Sequence, residues 1–352
     1  MTVKNDFFAV LITLLLVLPT MALSASAPKK PVTAAELALY NGADRQQLLE
    51  QGAKKEGRLL IYSTQTEKQI TDAFQKKYPY IKMEIWRDDD TRVASRILEE
   101  YKAGLHAVDV LSFTGFGSVI MSDAGILQPF ISPNIPFLED YAINASSGGA
   151  VLTAGHYQSG IGLGYNTKLV TRAQLPKTYA DLLDPKWMGK GKVGIVGSST
   201  GVTWMGGMLH AYGEDFVEKI AKQNFDVHMV SARALLDLVT NGEYVFSPTI
   251  MDSHIGKSKQ MGAPVDWVPL EPVASYLGQI MMTKYSPNPH AALLCLDFIL
   301  SREAGELYKA TGYNSPRKDL PGDRPYKKYF GPESAEQARK WMAAFNKNFL
   351  KR

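Results

Sequence analysis

Between Gly57 and Phe113 the chain switches repeatedly between two hydrophobic periods, and this alternation constrains the fold more than any other feature. "RLLIYS" is a compact apolar run suited to a buried strand, and "EKQITDAFQKKY" then sets Ile70, Phe74 and Tyr78 four apart on one helical face. "IKMEIW" returns to period two through Ile81, Met83 and Ile85. "TRVASRILEEYKAG" places Val93, Ile97 and Tyr101 on a second helical face and stops at Gly104, and "AVDVLSF" is a third strand. The β-α-β-α-β order predicts a mainly parallel sheet with helices on its faces. Ligands of such sheets sit beyond the carboxyl ends of the strands. Those ends read "YSTQTE", "WRDDDTR" and "SFTGFGS". Turn chemistry alone accounts for any one of them. Three at the same end mark candidate ligand contacts at Ser63, Thr64, Gln65 and Thr66, at Asp90, Thr91 and Arg92, and at Thr114 and Gly115.

A second alternating unit follows. "SGIGLGYN" reads as a strand broken by glycines, "VGIV" as a buried strand, and "VTWMGGMLHAYG", "EDFVEKIAKQ" and "ARALLDLVTNGE" as helices. "YVFSP" is another strand, "APVDWVPLEPVASYLGQIMMTK" is extended, and "NPHAALLCLDFILS" is a strongly apolar helix. At 352 residues the chain is long for one core, so two lobes are expected. Its net charge of +4 is interspersed and contains no basic block, which argues against nucleic acid as the main partner and leaves room for a small anion.

The N-terminus reads as a leader. Lys4 precedes "FFAVLITLLLVLP", and "ALSASA" follows, in the order of a secretory signal peptide whose apolar run is short for a membrane span. Residues 1–26 are assigned to it, with cleavage between Ala22 and Ser26. The single cysteine, Cys295, lies in an apolar pattern, so it is expected to be a buried, inert thiol and no intramolecular disulfide forms. No cysteine follows the leader, so no lipid anchor on a mature N-terminal cysteine is expected. An exported, soluble, periplasmic protein is the resulting expectation.

"GIVGSSTGVTW" matches Gly-x-Ser-x-Gly at Gly197, Ser199 and Gly201, the spacing of a hydrolase nucleophile elbow. A hydrolase would need an acid and then a histidine downstream. The candidates are Asp226, Asp237 or Asp252, then His254 or His290. No His-Gly-Gly segment lies upstream, and "SSGGA" lacks the histidine. The same residues also read as a helix start after a strand. There, free N–H groups with the hydroxyls of Ser198, Ser199 and Thr200, next to Gly201, would hold an oxygen-bearing ligand. Capping is the plainer role for each hydroxyl. Ser199 is therefore read as gripping, not attacking, and no catalytic residue is expected. Arg92 and Arg233 are candidate counter-charges, and Trp204 is a stacking surface or a core residue.

The ordered set "EGRLLIYS", "RILEEYKAGLHAVDV", "GIGLGYNTKLV", "DLLDPKWMGKGKVGI", "VTNGEYVFSP", "GAPVDW" and "NPHAALLCLDFILSREAGELYKATGYNSPR" resembles extracellular solute-binding proteins of ABC importers. The branch is the ferric-iron-binding-like one among type II periplasmic binding proteins. The resemblance implies an α/β fold of two lobes, each a mainly parallel sheet flanked by helices, joined by crossing strands that close on a ligand. It implies residues 27–53 as an N-terminal arm, 54–156 with 272–318 as lobe 1, 157–271 as lobe 2 and 319–352 as a C-terminal helical tail. "SGIGLGYN" and "VPLEPVASYLG" would be the crossings.

Ferric members of that family supply consecutive tyrosines just before the segment that corresponds to "GAPV". Here Met251, Asp252 and Ser253 stand there, and a thioether is a poor ligand for a hard cation. Asp252 and Tyr313 join the ligand-binding set, and a metal alternative would use Asp252, His254 and Tyr313. The implied function is a periplasmic receptor for a small oxygen-rich, anionic organic solute of phosphonate, sugar phosphate or carboxylate type. Its partners would be that solute and an inner-membrane ABC permease, with no cofactor and no nucleic acid, and a monomer is expected. Asp88, Asp89 and Asp90 leave a cationic ligand open. A ferric receptor and a Ser199 hydrolase are the alternatives.

Overall fold

The computed structural model describes residues 30–65, 68–88, 90–320, 328–329 and 331–350. The leader over 1–26 and the site residue Thr66 lie outside the described residues, and Thr91 enters only by its place in a helix. Helices α1 (Ala34–Ala38) and α2 (Arg45–Glu56) precede the first alternating run. That run is β1 (Arg58–Ser63), α3 (Lys68–Lys77), β2 (Lys82–Arg87), α4 (Asp90–Lys102), β3 (Val110–Thr114) and α5 (Gly115–Asp123). Short strands β4 (Leu127–Gln128) and β5 (Ile143–Ala145) lead into the long β6 (Val151–Asn166). The second unit is β7 (Gly194–Val196), α6 (Ser199–Tyr212), α7 (Glu214–Ala221), β8 (Asp226–His228), α8 (Ala232–Asn241), β9 (Phe246–Met251), α9 (Asp252–Gln260) and β10 (Val265–Val268). The chain ends with β11 (Val273–Thr283), α10 (Pro289–Ile299), α11 (Arg302–Ala310), β12 (Lys328–Tyr329) and α12 (Ala335–Phe349).

β2, β1 and β3 are parallel, as their helical crossovers require. β11 runs antiparallel to β3 and to the first half of β6. The second half of β6 pairs antiparallel with β9 and β10, while β7 and β8 form a separate parallel pair. The expected two-lobed α/β fold is present, and its main sheet is mixed, because the long strands linking the two halves run against their neighbours. β6 is not broken at its glycines. They are contact points: a Cβ on Gly162 would stand 2.5 Å from the Trp267 ring and 2.6 Å from the Val268 carbonyl oxygen.

Each half is covered on both faces. In the first, Ile61, Phe74, Leu293 and Phe298 pack on one side of the sheet, and Tyr62, Val93, Ile97 and Phe113 on the other. In the second, Val193, Trp204, Met205 and Phe246 form one core, and Leu235, Val239 and Ile250 the other. Cys295 is buried, as its sequence context predicts. Among the described residues no helix is long and apolar enough to cross a membrane.

The chain ends depart from the sequence reading. The N-terminal segment is not an arm: Leu37, Ala38, Leu49 and Ala53 are buried in the first core, and the Arg45 guanidinium pairs with the Asp297 carboxylate on α10 while donating to the Ile131 carbonyl at 3.1 Å. The C-terminal helix α12 buries Ala338, Trp341 and Phe345 in the second core. It lies so close to α6 that a Cβ on Gly206 would stand 2.1 Å from the Trp341 ring. Helices α2, α5, α9 and α11 are absent from the sequence reading. α5 has glycines at Gly115 and Gly117, and a Cβ on the latter would strike the Phe113 ring at 2.4 Å. α9 is polar and carries Gly256.

Candidate ligand-binding site

Four helices begin within three residues of a strand's carboxyl end: α4 after β2, α5 after β3, α6 after β7 and α9 after β9. Their first N–H groups lack intrahelical acceptors and carry the positive end of the helix dipole. α4 and α9 each start with their own acid, Asp90 and Asp252. α5 and α6 have no acid in the first turn, and their N-caps, Thr114 and Ser198, make no capping hydrogen bond. Two of the four starts are thus answered by a carboxylate of the chain, and two keep their donors available. Ser198 and Ser199 are half-buried, and Thr114 and Thr200 are buried, with Gly115 and Gly201 beside them in the same first turns.

Phenols from the long strands close in on these starts. Tyr276 on β11 donates to Ser199 Oγ at 3.0 Å, and its Oη lies 3.2 Å from Thr200 Oγ1. Burial, and then the Asp90 carboxylate, push its phenol far above the usual range. Tyr157 on β6 is raised likewise, chiefly by burial and then by Tyr313, Tyr308 and Asp90. Asp90 accepts a hydrogen bond from Thr114 Oγ1. Gln65 Nε2 donates to Tyr313 Oη at 2.6 Å, and the Tyr313 ring lies 4.8 Å from that of Tyr157. Ser63 is turned back on the backbone of Gln65, and the Thr64 carbonyl accepts from Arg87 Nε at 3.2 Å. Tyr157 and Tyr276 do not stand out in the sequence because both sit inside strands, away from the strand tips where hydroxyls and charges cluster. "VPLEPVASYLG", read only as a crossing, contains Tyr276, and Tyr157 lies two residues before "SGIGLGYN".

Other candidates are placed elsewhere. Arg92 is exposed and pairs with Asp88 at 3.4 Å. Arg233 is tied into the second lobe by Asp237 at 2.9 Å, Ser258 Oγ at 2.6 Å and the His254 carbonyl at 3.2 Å. Neither is a counter-charge inside the site. Trp204 is fully buried against Phe349 and belongs to the core. Asp252 is not on a loop: as the first residue of α9, it accepts through Oδ1 from Ser159 Oγ at 2.7 Å and from the Gly160 N–H at 3.1 Å, bracing β6.

The groups named for the metal and hydrolase alternatives have other partners. His254 is two residues past Asp252 on one helix, a spacing that does not put side chains together. Burial, with Arg233 nearby, holds its imidazole down to about 4. Tyr313 is engaged with Gln65. The acids and histidines proposed to serve Ser199 are committed elsewhere: Asp226 to Lys190 at 3.1 Å, Asp237 to Arg233 and His290 to Glu56 at 2.6 Å. Tyr244 meets His228 at 2.7 Å and packs in the second lobe.

Comparison with known proteins agrees with this architecture. An uncharacterised protein of Haemophilus influenzae is 25% identical over 272 residues, 72% of this chain and 76% of its own length. Iron-bound HitA from Pseudomonas aeruginosa superposes with a TM-score of 0.68 at 22% identity, covering 82% of this chain and 98% of its own. The periplasmic binding protein AfuA from Actinobacillus pleuropneumoniae, with fructose-6-phosphate bound, gives 0.68 at 20% identity, covering 84% and 100%. The family model for the bacterial extracellular solute-binding protein matches residues 120–341. That is more than half of the chain, which therefore belongs to the bacterial extracellular solute-binding protein family.

Proposed function

We propose that the protein is the periplasmic solute-binding component of an ABC importer, and that it carries a small organic oxyanion of phosphate- or phosphonate-type to a membrane permease. The observation that carries the ligand class is the start of α6: Ser198, Ser199 and Thr200 on an N-terminus with no acid and no side-chain cap. Such a site binds an anion through neutral donors and a dipole, so a basic side chain is not required. The buried Asp90 at the neighbouring helix start suits a hydroxyl or amino donor on the same ligand. The fructose-6-phosphate in AfuA has both an oxyanion and hydroxyls, which supports the reading by analogy. Binding would close the lobes and present that state to the permease, with no chemistry done on the solute.

Iron in HitA keeps a ferric reading in view. Here the phenols gathered at the site are already used: Tyr276 by Ser199, Tyr308 by His156 and Tyr313 by Gln65. Burial also opposes ionisation of Tyr276 and of Tyr157. A thermal-shift and calorimetry panel of inorganic phosphate, methylphosphonate, hexose 6-phosphates and ferric citrate tests the proposal. A ligand at a hundred times its Kd adds about 2.7 kcal/mol of stability. Stabilisation by phosphates or phosphonates without metal is expected. Stabilisation by ferric salts alone, with a charge-transfer colour, would overturn it.

A further inference from the structure

A recess of about 40 Å³ opens in the first lobe between the sheet and α3, walled by Ile70, Phe74, Met83 and Ile280. It lies under the ends of β1 and β3, and its lining includes Ser63, Gln65 and Ser112 from those same strand ends. Its polar groups are turned onto one another. Ser63 bonds the backbone of Gln65, Ser112 Oγ meets His156 Nε2 at 3.3 Å, and His156 Nδ1 meets Tyr308 Oη at 3.0 Å. Thr71 Oγ1 donates to the Lys68 carbonyl at 2.9 Å. Burial holds the His156 imidazole down to about 3, so the ring is neutral at pH 7.

These facts select the occupant. The recess is roomier than the roughly 10–15 Å³ that one water needs, yet its walls offer water few free partners. It holds no charge to receive an ionic group. Hydrocarbon is the chemistry such a lining rewards. We propose that this recess is a ligand subsite that takes a short, uncharged alkyl arm of the solute while the start of α6 holds the oxyanion. The inference rests on the proposed function for its oxyanion end only.

The test is calorimetric titration with inorganic phosphate and with methyl-, ethyl-, propyl- and butylphosphonate. In the wild-type protein each added methylene should tighten binding about fourfold until the recess is full, after which the gain stops. Ser112→Val, which enlarges a side chain that lines the recess, should remove those steps and leave inorganic phosphate unaffected. Ile280→Phe fills the same space from β11 and should behave alike if Ser112→Val folds poorly. Equal steps in wild type and variants, or phosphate binding with no steps in wild type, would overturn the subsite. If no phosphate or phosphonate binds at all, the oxyanion reading fails, and xenon-pressurised crystals test the recess alone. Xenon held there in the wild type and excluded by Ser112→Val sustains it; an empty recess sinks it.

Discussion

Gly201→Ala tests whether the start of α6 is built for close approach. An ideal Cβ at Gly201 would stand 1.9 Å from the Val196 carbonyl oxygen and 2.9 Å from the Phe345 ring. Ordinary contact begins at 3.4 Å, so methyl and carbonyl must separate by 3.4 − 1.9 = 1.5 Å. Val196 ends a buried strand and Phe345 belongs to the docked α12, so neither can give that distance. The first turn of α6 must move instead. Overpacking of this kind costs about 1–3 kcal/mol, and backbone as the blocking atom favours the upper end. A shift of that size takes N–H donors out of hydrogen-bond range, and each charge-assisted bond lost is worth about 1.5–3 kcal/mol. Affinity for inorganic phosphate should fall at least about tenfold. Gly256→Ala is the matched control: it is helical with nothing within 4 Å, so it should stabilise by up to about 1 kcal/mol and leave binding unchanged. Urea midpoints at unchanged slope, with calorimetry, read both effects. If Gly201→Ala unfolds within about 0.5 kcal/mol of wild type and binds phosphate equally well, the close-packed start of α6 is refuted.

Three further outcomes follow from named contacts. Arg45→Met should cost about 3–5 kcal/mol in urea unfolding, because it strands the buried Asp297 carboxylate, and Asp297→Leu in the same chain should recover much of the loss. Ser199→Ala should weaken phosphate binding by about 1–2 kcal/mol without loss of fold, and neither protein should release a burst of nitrophenol from an activated ester. Stability should fall on acidification from about pH 6.5 toward 4. His156 and His254, held down to about 3 and 4, stay neutral when folded while the unfolded chain takes up protons. The slope is on the order of 1 kcal/mol per pH unit for each, and His156→Gln should make it shallower.

The alternating periods of residues 57–113 were legible because a strand buried on both faces and a helix buried on one leave different repeats. Ser198, Ser199 and Thr200 could be placed because a hydroxyl cluster between a buried strand and an apolar helix has few other positions to occupy. Helices α5 and α9 were not, since Gly115, Gly117 and Gly256 lower local propensity and only tertiary packing restores the helix. Arg233 was misread because only half of its setting is local: Asp237 is its i,i+4 partner on α8, whereas Ser258 and the His254 carbonyl reach it through the packing of α9, which no local pattern records. Tyr157 and Tyr276 were hidden for the same reason: Tyr157 fits only because Gly278 is bare, a Cβ there standing 2.1 Å from its ring.

The placement of those two tyrosines bears on how binding becomes closure. They sit on β6 and β11, the strands that connect the halves, so bending at the connection moves both phenols relative to Ser199 and Asp90. Asp252 ties α9 to β6 at Ser159 and Gly160, so the second half follows any movement of that strand. Shifting two states from 1:99 to 99:1 takes about 5.5 kcal/mol of differential binding. A ligand making one neutral hydrogen bond to each half contributes about 0.5–1.5 kcal/mol apiece, too little to throw such an equilibrium. An oxyanion on the start of α6 contributes about 1.5–3 kcal/mol for each charged bond, and a hydroxyl or amine bonded to the Asp90 carboxylate adds as much from the other half. Bonds to one half persist in both states and shift nothing, so the shift needs a ligand whose anionic end on α6 and donor end on Asp90 engage both halves at once. An analogue with either end removed should therefore bind without compacting the molecule in small-angle scattering.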